Sequence, residues 1–467
     1  MTEIPKSMDA VEHYLRAEAG LGRNFDMIFR PLQIGRRNAA LFFYNGFAKD
    51  LVLTPILQRL SQVEHEQLLP HVLDKLFHTY VPSIQIEYVA EFELVLEKVM
   101  AGASALFIEQ ERKALVMDTR QYPMRTPEEP SNEKVVRGSR DGFVETLLTN
   151  VALVRRRLRD RKLICSVYKI GERTNVDVAL SYIEGMADAN LISTLEQSLR
   201  HLRTYDLPLT DKQLEEQLTG ARWSLFPSVR YSERPDVICS HLLEGHVVIF
   251  VDTSPSVMIL PATYFHHLQH AEEYRNTPLV GTYLRWVRYI GVFASLFLLP
   301  VWFLFAMHPE LLPEQLSFIG PREKGSLPLL VQFLIAEIGI DMMRMAAIHT
   351  PTPLATAMGL IAAILIGEIA VKVGLFVPEV ILYVAIAAIG TFATPSYELS
   401  LANRMIRLFL LFAVALFGAP GLIVTLLVLF VLAARHKPFG TPFLSPLVPF
   451  NAKKLLRLLL RVPFKRR

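Results

Sequence analysis

Between Tyr289 and Met307 the chain runs for 19 residues without a charged side chain. No other feature narrows the possible folds as much. A helix over that stretch measures ~28 Å, which matches the hydrocarbon thickness of a bilayer. Pro300 falls inside it, a residue that membrane helices tolerate where neighbours satisfy the freed carbonyl. Arg285 and Arg288 come just before, with Trp286 beside them, so the positive-inside rule places the N-terminal end in the cytoplasm. Average composition hides this: charged residues are 20% of the 467, little below the ~25% of a soluble domain. The polar residues concentrate in 1–286 and the apolar runs in 287–435. A purely soluble fold is excluded, as are collagen-like and low-complexity chains.

Leu327–Ile348 is also long enough to span, yet it carries Glu337, Asp341 and Arg344 at i, i+4 and i+7, one stripe of a helix. Facing lipid, each charge would cost roughly 2.5–3.5 kcal/mol. The stripe therefore faces protein, water or the interface. It is either a self-neutralising network, Asp341 against Arg344, or the hydrophilic wall of an ion path. Pro353–Phe376 and Val377–Ala393 follow almost without a loop. The first carries Gly359, Ala363 and Gly367 at four-residue spacing, a face for close helix packing, and Glu368 four residues before Lys372. The second has Glu379 near its start. Glu337, Asp341, Glu368 and Glu379 are the candidate ion-pathway residues, because rings of acids around an axis select cations.

Met405–Phe417 and Leu422–Ala434, 13 residues each, are separated by Gly418-Ala419-Pro420-Gly421. At ~20 Å each is short for a crossing. A hairpin after four full crossings is expected, which keeps the basic tail inside beside Arg404 and Arg407. From Lys453 to Arg467 there are seven basic residues and no acid, interleaved with leucines. That pattern reads as a basic amphipathic helix on anionic lipid, not as a nucleic-acid arm. Met1–Gly20 contains acids and lacks the apolar core of a signal peptide, so both termini are expected in the cytoplasm.

The first 120 residues begin with a helix signal at Ser7-Met8-Asp9. Strand-like runs follow at Ala40–Tyr44 and Ile84–Val89, with a hairpin of Ala105–Glu109 and Ala114–Asp118. Gln121–Ser139 is rich in Pro, Glu, Ser and Arg, a linker. Beyond it, Asp141–Asp160 reads as a helix, Leu163–Ile170 and Val176–Ile183 as strands, Leu191–Arg203 as a helix, and Val247–Val251 with Val257–Leu260 as a hairpin. The expected organisation is an N-terminal subdomain (1–120), a linker (121–139) and a second subdomain (140–262), both α/β or α+β. An amphipathic connector (263–288), an α-helical transmembrane domain (289–435) and the basic tail (436–467) complete the chain.

Chemistry-bearing motifs are missing. There is no phosphate-binding glycine loop, no H-E-x-x-H, no G-x-S-x-G and no kinase set. No catalytic residue, metal or cofactor is expected, and the chain is read as not an enzyme. Cys165 and Cys239 fit no metal or redox spacing and read as buried thiols. His266, His267 and His270 could hold a metal on one helix, but beside Tyr264 and Phe265 near the first span they read as interfacial packing. The arginines at 155–161 could bind an anion, but a solvated or interdomain salt-bridge face is the usual outcome of such a cluster.

Ordered blocks across 135–445 resemble the GerA spore germination family, A-subunit type. Val136-Arg137-Gly138-Ser139-Arg140-Asp141-Gly142-Phe143 with Thr149-Asn150-Val151-Ala152 is similar to the family signature. Tyr182-Ile183-Glu184-Gly185-Met186, Tyr231-Ser232-Glu233-Arg234-Pro235-Asp236 and Leu243-Glu244-Gly245-His246 follow in the same order. Glu368 stands where many nutrient-receptor A subunits carry an uncharged residue, which points to an accessory role. The resemblance implies a multi-pass protein of the spore inner membrane, acting in germination as a ring-like homo-oligomer that conducts ions. Other germination membrane proteins would be its partners. Two other readings of the residues stand beside it: a non-conducting scaffold for germination receptors, and a membrane-tethered enzyme using the polar region.

Overall fold

The computed structural model describes residues 3–48, 50–81, 85–120, 133–202, 208, 210–220, 223–312, 315, 319–321, 325–349 and 369–462. They form two compact units, a sheet unit (1–222 and 229–261) and a helical unit (223–228 and 262–467).

The sheet unit contains the same motif twice. Its first half runs α1 (Met8–Glu18), β1 (Met27–Ile34), β2 (Arg37–Tyr44), α2 (Asp50–Ser61), β3 (Ile86–Val89), α3 (Phe92–Met100), β4 (Ser104–Ile108) and β5 (Ala114–Met117). The second half has α4 (Leu147–Arg157), β6 (Leu163–Ile170), β7 (Val176–Ile183), α5 (Ala189–His201) and α6 (Thr210–Thr219). It ends with β8 (Arg230–Ser232), α7 (Pro235–Leu243), β9 (Val247–Val251) and β10 (Val257–Leu260). Strand order is β1-β2-β4-β5-β3 in one sheet and β6-β7-β9-β10-β8 in the other, the same topology. Every pairing is antiparallel, so of the two expected classes the halves are α+β.

Alternation explains why the strands of the first sheet read as unbroken apolar runs. Along β2, Phe42 and Tyr44 pack with α1 and α3, while Ala39 and Leu41 pack with α2 on the opposite face. With both faces covered, Ala39–Phe42 of β2 and every residue of β4 and β5 are buried. The β1–β2 hairpin closes over Gly35 and Arg36, at φ 52° and 65°, the left-handed pair that a tight hairpin turn requires. The sequence expected no strand at β1, where Pro31 interrupts the pattern. The strand lies at the sheet edge, where a missing N–H is tolerated. Three-residue β8 and α7 were also not anticipated. The 133–139 end of the Pro-rich stretch lies against this second sheet: Arg234 donates to the carbonyls of Glu133 and Ser139.

Arg155 of α4 ties the halves together. Its guanidinium is 5% exposed, pairs with Asp26, donates to Asn24 at 3.0 Å, and lies 4.7 Å from the Tyr44 ring. Arg161 adds a second bridge, to Glu93 at 2.8 Å. Burial opposes the Arg155 charge, but Asp26, Cys165 and Tyr44 hold its pKa above the usual value. Within the arginine run, Arg155 and Arg161 thus bridge the halves, Arg157 pairs with Asp141 of its own half, and Arg156 and Arg159 are exposed.

The helical unit contains α8 (Pro278–Met307), α9 (Leu329–His349), α10 (Pro378–Phe392), α11 (Tyr397–Arg435) and α12 (Ala452–Leu459). Helix α8 starts eleven residues before the apolar span and continues through Pro300. Among the described residues, α8 and α11 are long and apolar enough to cross a membrane, and α10 is a shorter apolar helix. Helices α8 and α10 cross where Gly390 meets the Gly291 carbonyl so closely that a β-carbon would overlap it.

Helix α11 turns at Gly418, whose φ of 60° and ψ of −141° are not helical. Past the turn, a β-carbon at Gly421 would overlap the Ala413 carbonyl, so the second arm lies against the first. The outer ends of both arms reach Tyr264, which packs in one cluster with Leu399 and in another with Ala433. The chain therefore makes the expected hairpin. Helix α12 is shorter than the tail pattern suggested: it ends at Leu459, and Arg461 turns inward to the Tyr274 carbonyl at 2.9 Å.

Candidate functional site

Six residues from four helices meet in the core of the helical unit. Glu337 and Asp341 are one turn apart on α9, and Arg404 and Arg407 are three residues apart on α11, so each pair shares a helix face. Close packing of α8 and α10 brings Ser295 and Thr391 to the same place. Glu337 is 2% exposed. Arg404 lies 3.0 Å from one of its carboxylate oxygens, and Arg407 2.8 Å from both. Arg404 also donates to the Glu337 carbonyl and pairs with Asp341. Arg407 donates to the Ser295 carbonyl and to Thr391 Oγ1. Two carboxylates and two guanidiniums make the cluster neutral, which is how charges persist away from water.

Asp341 therefore pairs with Arg404, not with Arg344 as its own helix suggested. Arg404 is already held beside α9 by Glu337, and it reaches Asp341 from the packed side. Arg344 instead lies over the Phe392 ring at 5.1 Å. Its Nε and Nη1 have no hydrogen-bond acceptor among the described residues. Asp341 keeps 43% of its side chain exposed.

The other candidates fall elsewhere. Glu379 sits in the first turn of α10, which favours an acid, and ~18 Å along the axis from Thr391. Gly359, Ala363, Gly367 and Glu368 lie outside the described residues. Arg404 and Arg407 were legible in the sequence only as positive flanks of the hairpin. The available signal was their three-residue spacing in an apolar helix, opposite in charge to Glu337 and Asp341.

The histidines pack and cap. His267 is fully buried with Nδ1 2.9 Å from Ser396 Oγ, and His270 caps the short helix after it. No group of three His, Cys, Asp or Glu among the described residues is arranged to hold a metal. Cys165 and Cys239 are buried thiols, pushed up by burial to about 11 and about 12. The sheet unit has an open cleft of about 680 Å³ between its halves, lined by Arg23, Tyr168, Tyr182, Glu184, Glu196 and Arg200. Its Arg23 is paired with Glu184 at 2.9 Å.

The model of the Bacillus/Clostridium GerA spore germination protein matches residues 14–467. Stage V sporulation protein AF of Bacillus subtilis is 47% identical over 96% of this chain and 91% of its own length. Spore germination protein A1 of the same organism is 32% identical over 92% and 89%, and spore germination protein KA 30% identical over 95% and 82%. Among solved structures, the N-terminal domain of the A subunit of the Bacillus megaterium germinant receptor GerK3 is 23% identical. It covers 56% of this chain and 98% of its own, at a TM-score of 0.43. The chain, with its apolar helices built around a buried charge cluster, belongs to the GerA family of spore germination membrane proteins.

Proposed function

We propose that this protein is a subunit of a homo-oligomeric, cation-conducting assembly in the spore inner membrane, with both ends of the chain cytoplasmic. The observation that carries this reading is the uneven treatment of charge along α9. Glu337 is sealed in a neutral cluster. One turn on, Asp341 is half-exposed and the buried Nε and Nη1 of Arg344 have no acceptor among the described residues, on a helix whose exposed neighbours Ile338, Met342 and Met345 are apolar. Lipid against such charges costs roughly 2.5–3.5 kcal/mol each. A second subunit or a water-filled path removes that cost, and symmetry would then repeat Asp341 around an axis. Glu337 acts as a brace for the helices, while Glu368 and Glu379 remain candidates for the ends of the path.

For topology, the support is that basic side chains gather at one end of the helical unit: Arg285 and Arg288 on α8, Arg435 after the hairpin, and the tail beside them. A second reading, a non-conducting scaffold for germination receptors, is favoured by Arg344, whose charge lies close to Asp341 and opposes cation entry. Two measurements on the purified full chain decide between them. The reading expects a detergent-solubilised complex of several chains and cation flux when it is reconstituted in liposomes. A multimer without flux would leave the scaffold, and a monomer would end the ring model.

A further inference from the structure

Helix α12 is clamped at its C-terminal end and capped at its N-terminal end, and its leucines are at most partly covered. At its C-terminal end, Arg285 Nη1 donates to the carbonyls of Arg457 and Leu458, at 3.1 and 2.9 Å. Trp286 Nε1 donates to Leu459, and the Tyr289 hydroxyl to Leu458. These are among the carbonyls that a helix end leaves unsatisfied. Arg285 is itself fixed by Glu273, which is fully buried and also takes Arg288. At the other end the Asn451 side chain accepts from the Lys454 N–H. Yet no residue of the helix is buried, and eight residues are too few to be stable alone in water.

Helical spacing puts Lys453, Lys454 and Arg457 on one side and the leucines on the other. Leu456 and Leu460 are exposed, as is Phe450 just before. The adjoining start of α8 exposes Tyr283, Trp286, Val287 and Ile290. This is an uncovered apolar surface, edged by an indole and three cations. Its chemistry fits the boundary between acyl chains and phosphate headgroups. A second copy of the same surface would bring like charges together.

We infer that α12 lies in the membrane interface, its leucines among acyl chains and Lys453, Lys454 and Arg457 on the phosphates of anionic lipid. Arg285 and Glu273 couple it to the base of α8.

The test uses the full chain with Leu456→Cys carrying a fluorophore, since both native thiols are buried. It is reconstituted in phosphatidylcholine, or in phosphatidylcholine mixed with phosphatidylglycerol, each containing nitroxide lipid as quencher. Strong quenching is expected with phosphatidylglycerol, falling about fivefold in embedded population per charge removed in the triple variant K453Q/K454Q/R457Q. The backbone clamp on residues 457–459 is untouched by those changes. Equal quenching in both lipids and in the variant would overturn charge recognition. Quenching only by a water-soluble agent, or protection that follows protein concentration instead of lipid, would overturn membrane contact. Free glycerol phosphate in place of phosphatidylglycerol should change nothing; an equal effect would assign the site to a soluble anion.

Discussion

Glu337 shows how much of a residue's role its own helix conceals. The i, i+4, i+7 stripe on α9 was legible, and so was the need to cover it. The identity of the cover was not, because Arg404 and Arg407 lie more than sixty residues away and read as ordinary positive flanks. His246 carries a different kind of information. Burial, more than any neighbouring charge, pushes it down to about 4 from the usual 6.5, and His241 beside it shifts the same way. The unfolded chain binds a proton between those values and the folded chain refuses it. That stability is complete above pH ~6.5 and is lost as pH falls toward ~4, by roughly 3 kcal/mol in all. Amide protection factors along β9 of the full chain, which allow for the slower intrinsic exchange in acid, should therefore fall as pH drops through that window, and less steeply in His246→Gln. Protection factors that stay constant, or rise on acidification, would contradict the assignment.

At the scale of elements, the sequence was most readable where one signal suffices. The β4–β5 and β9–β10 hairpins appear close to their expected bounds, because apolar runs with turn residues between them admit little else. The turn at Gly418 was likewise announced by Gly-Ala-Pro-Gly between two short apolar runs. Edge strand β1 and three-residue β8 were hidden, since each is defined by its partner strand more than by its own residues. Of the tight crossing of α8 and α10 one side was legible, because Ala385, Ala387, Ala388 and Gly390 are small residues that favour close helix packing. Nothing marked Gly291 as the partner. Gly390→Ala should force those helices apart at a cost of ~1–3 kcal/mol, typical of overpacking. A lower melting temperature in detergent is the expected result; an unchanged one would mean that the crossing yields without strain.

The whole molecule joins a duplicated α+β sheet unit to a helical unit, and the duplication has no counterpart in residue identity that the sequence alone disclosed. Topology is set by the helical unit, where the clamp on α12 keeps the tail at the end where α8 begins. A cysteine at Lys454 should accordingly react with an impermeant reagent only from the cytoplasmic side of sealed vesicles. Ready reaction from the other side would invert the topology.

We propose a division of labour on α9, in which Glu337 braces the fold and Asp341 faces an ion path. Cation flux and thermal stability, measured together on liposome-reconstituted Glu337→Gln and Asp341→Asn, test it most directly. Glu337→Gln should lose ~3–5 kcal/mol, as when one partner of a buried pair is removed. Asp341→Asn leaves the cluster one positive charge in excess. It should melt below the parent but by less than Glu337→Gln, since Asp341 is 43% exposed, and conduct several-fold less. Undiminished flux in Asp341→Asn, with the parent conducting, would contradict the claim.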